Sequence, residues 1–146
     1  MREIDISSIF ELNYIIENTF FSKLKDKFDF PDEIKDTHIK ALIIINEGNK
    51  ITMSQVSQKL NLVKGAFTPV ANRLINFGFV EKMRCEEDKR VSYLSLTQAG
   101  SDFVTDLMGI ITDDILNKIN KLSDDEQEAY FAAIKFIVST TKKIMD

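Results

Sequence analysis

Residues 51–100 constrain the fold more than any other part of the chain: ITMSQVSQKLNLVKGAFTPVANRLINFGFVEKMRCEEDKRVSYLSLTQAG. Thr52-Met53-Ser54-Gln55 has the form of a capping box, in which a hydroxyl accepts the amide three residues on and a Gln side chain reaches back. It predicts a helix over 53–60, with Val56 and Leu60 one turn apart and facing inward. Asn61, Leu62 and Val63 form a turn. A second helix then runs to Asn76 with Val70 and Leu74 inward, and Gly78 stops it. Two β-rich runs, 79–84 and 91–96, flank a charged loop at 85–90, and Thr97 caps a further helix. Helix, turn, helix and hairpin in that order are the parts of a winged helix-turn-helix: one helix braces, one enters a groove, and the hairpin tip reaches beside it.

The flanks read as amphipathic helix. Ile9, Ile16, Phe20 and Leu24 place a stripe on a long helix over 4–28, ended by Phe30-Pro31-Asp32. Thr37 is the expected cap of a helix to Glu47, with Ala41, Leu42, Ile44 and Ile45 buried and Gly48 at its end. Phe103, Val104, Leu107, Ile111 and Ile115 line a helix to Asn120. Ser123-Asp124-Asp125-Glu126 is a second capping box, opening a last helix with Tyr130, Ala133, Ile134, Ile137 and Ile144. The expected class is therefore mainly α with a small β-hairpin wing. It is read as a single domain over 1–146, in which 37–100 form the winged helix-turn-helix and 1–36 and 101–146 supply long N- and C-terminal dimerisation helices. The end helices carry more apolar surface than a winged helix of about 50 residues covers, so pairing with a second copy is expected.

The net charge of −4 argues against nucleic acid until its distribution is read. From Lys50 to Leu96 there are eight cations and four carboxylates, a window of +4, and the remainder carries −8. A basic middle within an acidic frame is an electrostatic footprint suited to a phosphate backbone. There is one histidine, no Gly-rich phosphate loop and no Cys/His metal spacing, so neither catalysis, a metal nor another cofactor is expected. The acidic pair Asp124-Asp125 sits at a helix start, where the dipole accounts for it. No run approaches a membrane span. The single Cys85 excludes an internal disulfide, and the N-terminus lacks a signal-peptide stretch, so a cytoplasmic setting is expected.

Asp88-Lys89-Arg90, a strand, and then Leu96-Thr97-Gln98-Ala99-Gly100 resemble the wing tip and following helix start of the multiple antibiotic resistance regulators, the MarR family. Leu74-Ile75-Asn76-Phe77-Gly78-Phe79-Val80-Glu81-Lys82 is similar to that family's end of the recognition helix and approach to the wing, and Lys64-Gly65-Ala66 to its opening. The resemblance implies a homodimeric transcriptional regulator of double-stranded DNA, more often a repressor, whose operator binding a small aromatic effector modulates. The fourth helix would lie in the major groove and the wing arginine in the adjacent minor groove.

Physical chemistry gives the same residues matching tasks. Arg90 at a hairpin tip can enter a narrow, negative groove, and Asp88 can orient its guanidinium by a charge-assisted pair. Outside this context such a pair would merely stiffen a turn. Arg73 suits guanine or phosphate and Asn72 suits adenine. Lys64 and Thr68 lie where helix-start amides attract phosphate. Ser54 and Gln55 can donate to the DNA backbone, and Lys82, Arg84 and Lys89 are phosphate contacts. Tyr14, Phe20 and His38 are placed as candidate effector-lining groups. Cys85 lies between cations, Arg84 and Lys89, and carboxylates, Glu86 and Glu87, and is read as inert rather than as a redox switch. Two positions depart from the family pattern. Val63 stands where a capping Ser is common, and Pro69 stands where a basic residue is, so the helix is either bent or begins nearer Ala66. A winged helix that docks a protein instead of DNA is the alternative reading.

Overall fold

The computed structural model describes residues 5–145. Its elements are α1 (Ile6–Ile16), α2 (Asp36–Gly48), β1 (Ile51–Thr52), α3 (Met53–Lys59), α4 (Phe67–Asn76), β2 (Val80–Arg84), β3 (Ser92–Leu96), α5 (Gln98–Ile119) and α6 (Asp124–Lys142). The chain forms two compact units that divide between Ile110 and Ile111, inside α5.

In the first unit the buried face of α2 is the centre of the core. Ile39, Ala41, Leu42 and Ile45 are fully buried, as are Val56 of α3, Ala71 and Leu74 of α4 and Leu94 of β3. Val56 and Leu74 are inward as the spacing predicts, while Leu60, Val70 and Ile44 are only half-buried. The sheet has three strands rather than a two-stranded hairpin, in the order β1-β3-β2. Ile51 pairs with Leu94 and Thr52 with Tyr93, while β2 and β3 pair antiparallel from Val80↔Leu96 to Arg84↔Ser92. The two-residue β1 leads directly into α3 and is too short to leave an alternation in the sequence.

Two helix boundaries upstream of β1 differ from expectation. The predicted helix over 4–28 starts at a residue, Ile4, that lies outside those described. Downstream, α1 gives way to a π-turn over Glu17–Phe21 and the helix breaks at Ser22, which is extended. Lys23 then turns left-handed at φ 56° before a 3-10 turn over Leu24–Lys27. Ser22 closes the preceding turn through its amide, which donates to the Glu17 carbonyl at 2.8 Å, and its hydroxyl, which donates to the Asn18 carbonyl at 2.6 Å. The redirected chain buries Leu24, Phe30 and Ile34. A continuous apolar stripe does not reveal that break, because the driving force is burial against the rest of the unit. The second difference is at α2, whose N-cap is Lys35 and not Thr37. There the Lys35 backbone N–H donates to His38 Nδ1 at 3.0 Å.

The junction between wing and α5 is tightly built. Thr97 Oγ1 accepts the Gly100 amide at 3.0 Å and donates to the Gly78 carbonyl, while the Thr97 amide donates to the Phe79 carbonyl at 3.0 Å. A Cβ on Gly100 would overlap the Phe79 carbonyl oxygen and stand 2.8 Å from its carbon. Rings carry the contact onward. Phe79 stacks on Phe103 at 4.6 Å between centroids, and Phe103 meets Phe28 and Phe30 edge-on at 5.3 and 5.5 Å.

In the second unit, α6 opens with the expected capping box. The Ser123 amide donates to Glu126 Oε2 at 2.8 Å, which holds that carboxyl below its ordinary value. No residue of α6 is buried, and Phe136 is 70% exposed. The helix ends at Lys142, so Ile144 lies beyond it. In the first unit α1 likewise buries nothing, and Ile9, Phe10 and Tyr14 are each more than 60% exposed.

The two glycines of α5 should respond oppositely to alanine. Gly100→Ala should lower the unfolding free energy by about 1–3 kcal/mol, because the added methyl has no room. Gly109→Ala, with nothing within 4 Å, should raise it by roughly 0.5–1 kcal/mol through helix propensity. Equal denaturant midpoints for the two variants would contradict the junction geometry. A second test concerns His38. Burial first, and the Arg73 guanidinium second, push its imidazole below the ordinary value of 6.5. Above pH 6.5 the group is neutral in both folded and unfolded chains. As pH falls below that value the unfolded chain binds the proton first, so stability should decline, by at most about 1.4 kcal/mol per pH unit. His38→Gln should remove that component from the pH profile of urea unfolding.

Candidate nucleic-acid interface

Helix α3 is set by its capping box: the Gln55 amide donates to Thr52 Oγ1 at 3.1 Å, and the Thr52 amide to Gln55 Oε1 at 3.0 Å. The Gln55 carboxamide oxygen is thus committed to the cap, leaving its NH2 as the outward donor. Ser54 and Gln55 are both exposed. A turn follows in which Asn61 takes φ 55° and Gly65 φ 85°, and the Ala66 amide donates to the Val63 carbonyl at 3.1 Å.

The N-cap of α4 is Ala66, and the helix begins at Phe67. Lys64 therefore lies in the turn before the helix, not at its start as the sequence had implied. Pro69 falls at the third helical position, within the first turn, where backbone N–H groups have no intrahelical acceptor. The residue four back is Gly65, outside the helix, so the ring meets no helical carbonyl and α4 runs without a break from Phe67 to Asn76. Val63 supplies no cap, and the helix accepts none from any side chain. Phe67 is buried in the core, as are Ala71 and Leu74.

What remains forms the outer face of α4: Thr68, Pro69, Asn72, Arg73 and Asn76 are all exposed. Two shallow depressions border it. One, between α3 and α4, brings Ser54, Lys64 and Thr68 together with Ser57, Gln58 and Asn61. The other joins Asn72, Arg73 and Asn76 to Glu33 and Phe77. Sequence reasoning missed Ser57, Gln58, Asn61 and Asn76. An exposed polar face at helical spacing was the available signal for Asn76, four residues after Asn72.

On the wing, Glu81, Lys82, Met83, Arg84 and every residue from Glu86 to Arg90 are exposed. Lys82 and Arg84 alternate with Glu81 and Met83 along β2 and so share one face of the hairpin. The Cys85 amide donates to the Val91 carbonyl at 2.9 Å and closes the loop. Asp88 does not orient the Arg90 guanidinium as expected; its Oδ1 accepts the Arg90 backbone amide at 3.0 Å. The carboxylate therefore shapes the turn, and the ion pairs found among the described residues do not include Arg90. This local hydrogen bond wins because it closes a two-residue ring without ordering a long side chain. On the opposite side of the wing base, Lys50 Nζ sits 4.6 Å from the centre of the Tyr93 ring. The Cys85 thiol is held below its ordinary value by the Asp88 amide first, then by the Glu87 amide. The cause is backbone hydrogen bonding rather than the neighbouring Arg84 and Lys89 charges.

The three groups placed at an effector site are not assembled into one. Tyr14 is 67% exposed, Phe20 is half-buried, and His38 is nearly buried as a helix cap. None lines the apolar depression formed by Phe21, Leu24, Ile43, Ile44 and Leu60 with Glu17, Lys40 and Lys59 around it. Lys40 Nζ pairs with Glu17 Oε1 there at 2.6 Å. Among the described residues, no cluster of His, Cys, Asp and Glu could hold a metal ion, and no helix is long and apolar enough to cross a membrane.

The model of the MarR family matches residues 34–92, which run from the approach to α2 through the wing to the first residue of β3. The chain is 26% identical over 103 residues to the transcriptional regulator SarZ of Staphylococcus haemolyticus, covering 70% of this chain and 69% of that one. Its fold is similar to that of Streptococcus pneumoniae FabT, solved in complex with DNA, at a TM-score of 0.73 and 22% identity, with 96% of this chain and 99% of that chain covered. It is also similar to Streptomyces coelicolor PcaV, solved with its natural ligand, at a TM-score of 0.57 and 21% identity, with 97% and 99% covered. The family match falls on the elements that build the exposed face of α4 and its wing, and the fold shared with these solved structures extends along nearly the whole chain: over residues 34–92 this chain is similar to the MarR family.

Proposed function

We propose that this chain is a DNA-binding transcriptional regulator, with α4 in a major groove and Arg90 in the neighbouring minor groove. The observation that carries the reading is the pairing of two exposed features on one lobe: a polar outer face of α4 with no internal partner element, and a stiffened wing loop whose arginine is outside the ion pairs of the described residues. Lys64, Lys82, Arg84 and Lys89, all exposed, supply phosphate contacts that position the protein without specifying sequence. The DNA complex of FabT supports the assignment.

The apolar faces of α1 and of α6 are each covered by a second copy, which makes the regulator a homodimer and its operator two-fold symmetric. A small aromatic effector, entering the apolar depression at Phe21, Leu24, Ile43 and Ile44, shifts the populations of dimer conformations that fit successive grooves and those that do not. Release of a repressor is the expected outcome. The ligand complex of PcaV supports an effector of this kind. Pro69 does not favour the protein-docking alternative, because it lies in the first turn of an α4 that continues unbroken to Asn76.

Binding to duplex DNA should weaken steeply as salt rises. Arg90→Ala should reduce affinity about tenfold and lower the magnitude of the salt slope by roughly one; an unchanged affinity and slope would remove Arg90 from the interface. Sedimentation equilibrium should return twice the chain mass at micromolar concentration. A monomeric mass would exclude the dimer.

A further inference from the structure

The outer face of α4 has an unusual chemistry for reading DNA. Its first turn offers the methyl of Thr68 and the ring of Pro69, both exposed, and no acidic residue. One turn later comes Asn72, and a further turn on, Asn76. No Lys or Arg precedes Arg73 on this helix, whereas guanine edges are read above all by Arg and Lys. Arg73 itself lies toward the C-terminal end, beside Glu33 and close to His38 on its own lobe. Ahead of the helix, Val63 presents another apolar side chain, 78% exposed, on the turn hydrogen-bonded to the N-cap. Methyl and ring carbons suit the C5-methyl of thymine, and a carboxamide suits the N6 and N7 edge of adenine.

From this face, and resting on the DNA-binding reading above, we infer that α4 reads consecutive A·T base pairs: Thr68 and Pro69 pack on thymine methyl groups and Asn72 makes a bidentate pair with adenine. The spacing fits. Thr68 and Asn72 are separated by about 6 Å along the helix, close to two base-pair steps of about 3.4 Å each. A helix lying in the groove therefore reaches pairs two steps apart with these two residues, and Pro69 packs on the pair between them.

The test starts with the full chain and a random duplex pool selected at low salt. Half-sites should enrich in uninterrupted A·T runs at the positions nearest α4. In the enriched duplex, replacing single thymines by uracil deletes only the methyl group. Affinity should fall about threefold to fourfold at each contacted thymine, with the salt slope unchanged because no phosphate contact is lost. Thr68→Ser, which keeps the hydroxyl and deletes the methyl, should abolish the uracil effect at one position. Asn72→Ala should erase the preference for adenine over 7-deazaadenine. Enrichment of fixed G·C pairs facing α4, or equal binding of thymine and uracil duplexes, would overturn the inference while leaving the regulator reading intact. Failure to bind any duplex at low salt would overturn both.

Discussion

The placement of the candidate interface depends on one close backbone contact, between the start of α5 and the residues that join α4 to β2. Gly100 has no Cβ, so the first turn of α5 can lie directly against the Phe79 carbonyl. Thr97 then does two things with one hydroxyl: it caps the Gly100 amide and donates to the Gly78 carbonyl. Gly78, at φ 76°, ends α4 by the left-handed turn that L side chains resist. Four elements meet within these few residues: the end of α4, both wing strands and the beginning of α5. The Leu-Thr-x-x-Gly signature visible in the sequence is thus a packing requirement. Its hydroxyl and its missing Cβ fix the wing's angle to α4.

The aromatic residues extend that constraint. Phe77 and Phe79 lie nearly parallel, 5.9 Å apart, and Phe79 continues onto Phe103 and thence to Phe28 and Phe30. The rings bind the segment before α2 to α5 and to the base of the wing, each pair adding roughly 0.5–1.5 kcal/mol beyond its buried area. On the other side of the lobe, His38 couples the start of α2 electrostatically to Arg73 of α4. It accepts the Lys35 amide and stands in the field of Arg73. Protonation would remove the acceptor and place two cations together, so the neutral form belongs to the folded lobe.

Charge and shape divide the work of the interface. The cations are spread over the turn before α4, the wing strand and the wing tip, all of them exposed. The helix face itself is almost neutral. Under the proposed function, such a neutral face would gain little from general attraction and would depend on matched hydrogen bonds and methyl contacts for specificity, while the surrounding lysines and arginines would supply affinity. The net acidity of the rest of the chain does not oppose this, because surface charges more than about 10 Å apart are largely screened at physiological salt.

The sequence by itself determined the order of elements, the two capping boxes and the position of the wing, because each rests on short-range chemistry: a hydroxyl three residues from an amide, a glycine at a left-handed turn, an apolar residue every third or fourth place. It also located the exposed candidates on α3, α4 and the wing, since a polar residue opposite a core stripe must face outward. Only the tertiary structure decided the break after Phe21, where burial of Leu24 and Phe30 outweighs a continuous helical stripe. It alone showed the third strand, whose two residues gain their identity from pairing with β3. It moved the start of α4 to Phe67, which turns Pro69 from a disruption into a tolerated first-turn residue. It gave Asp88 a backbone partner instead of a guanidinium, and made His38 a buried partner of the Lys35 amide at the start of α2. In each of these the deciding term is a contact between residues distant in the chain, or a competition between two local hydrogen bonds, and neither leaves a periodic trace in the sequence.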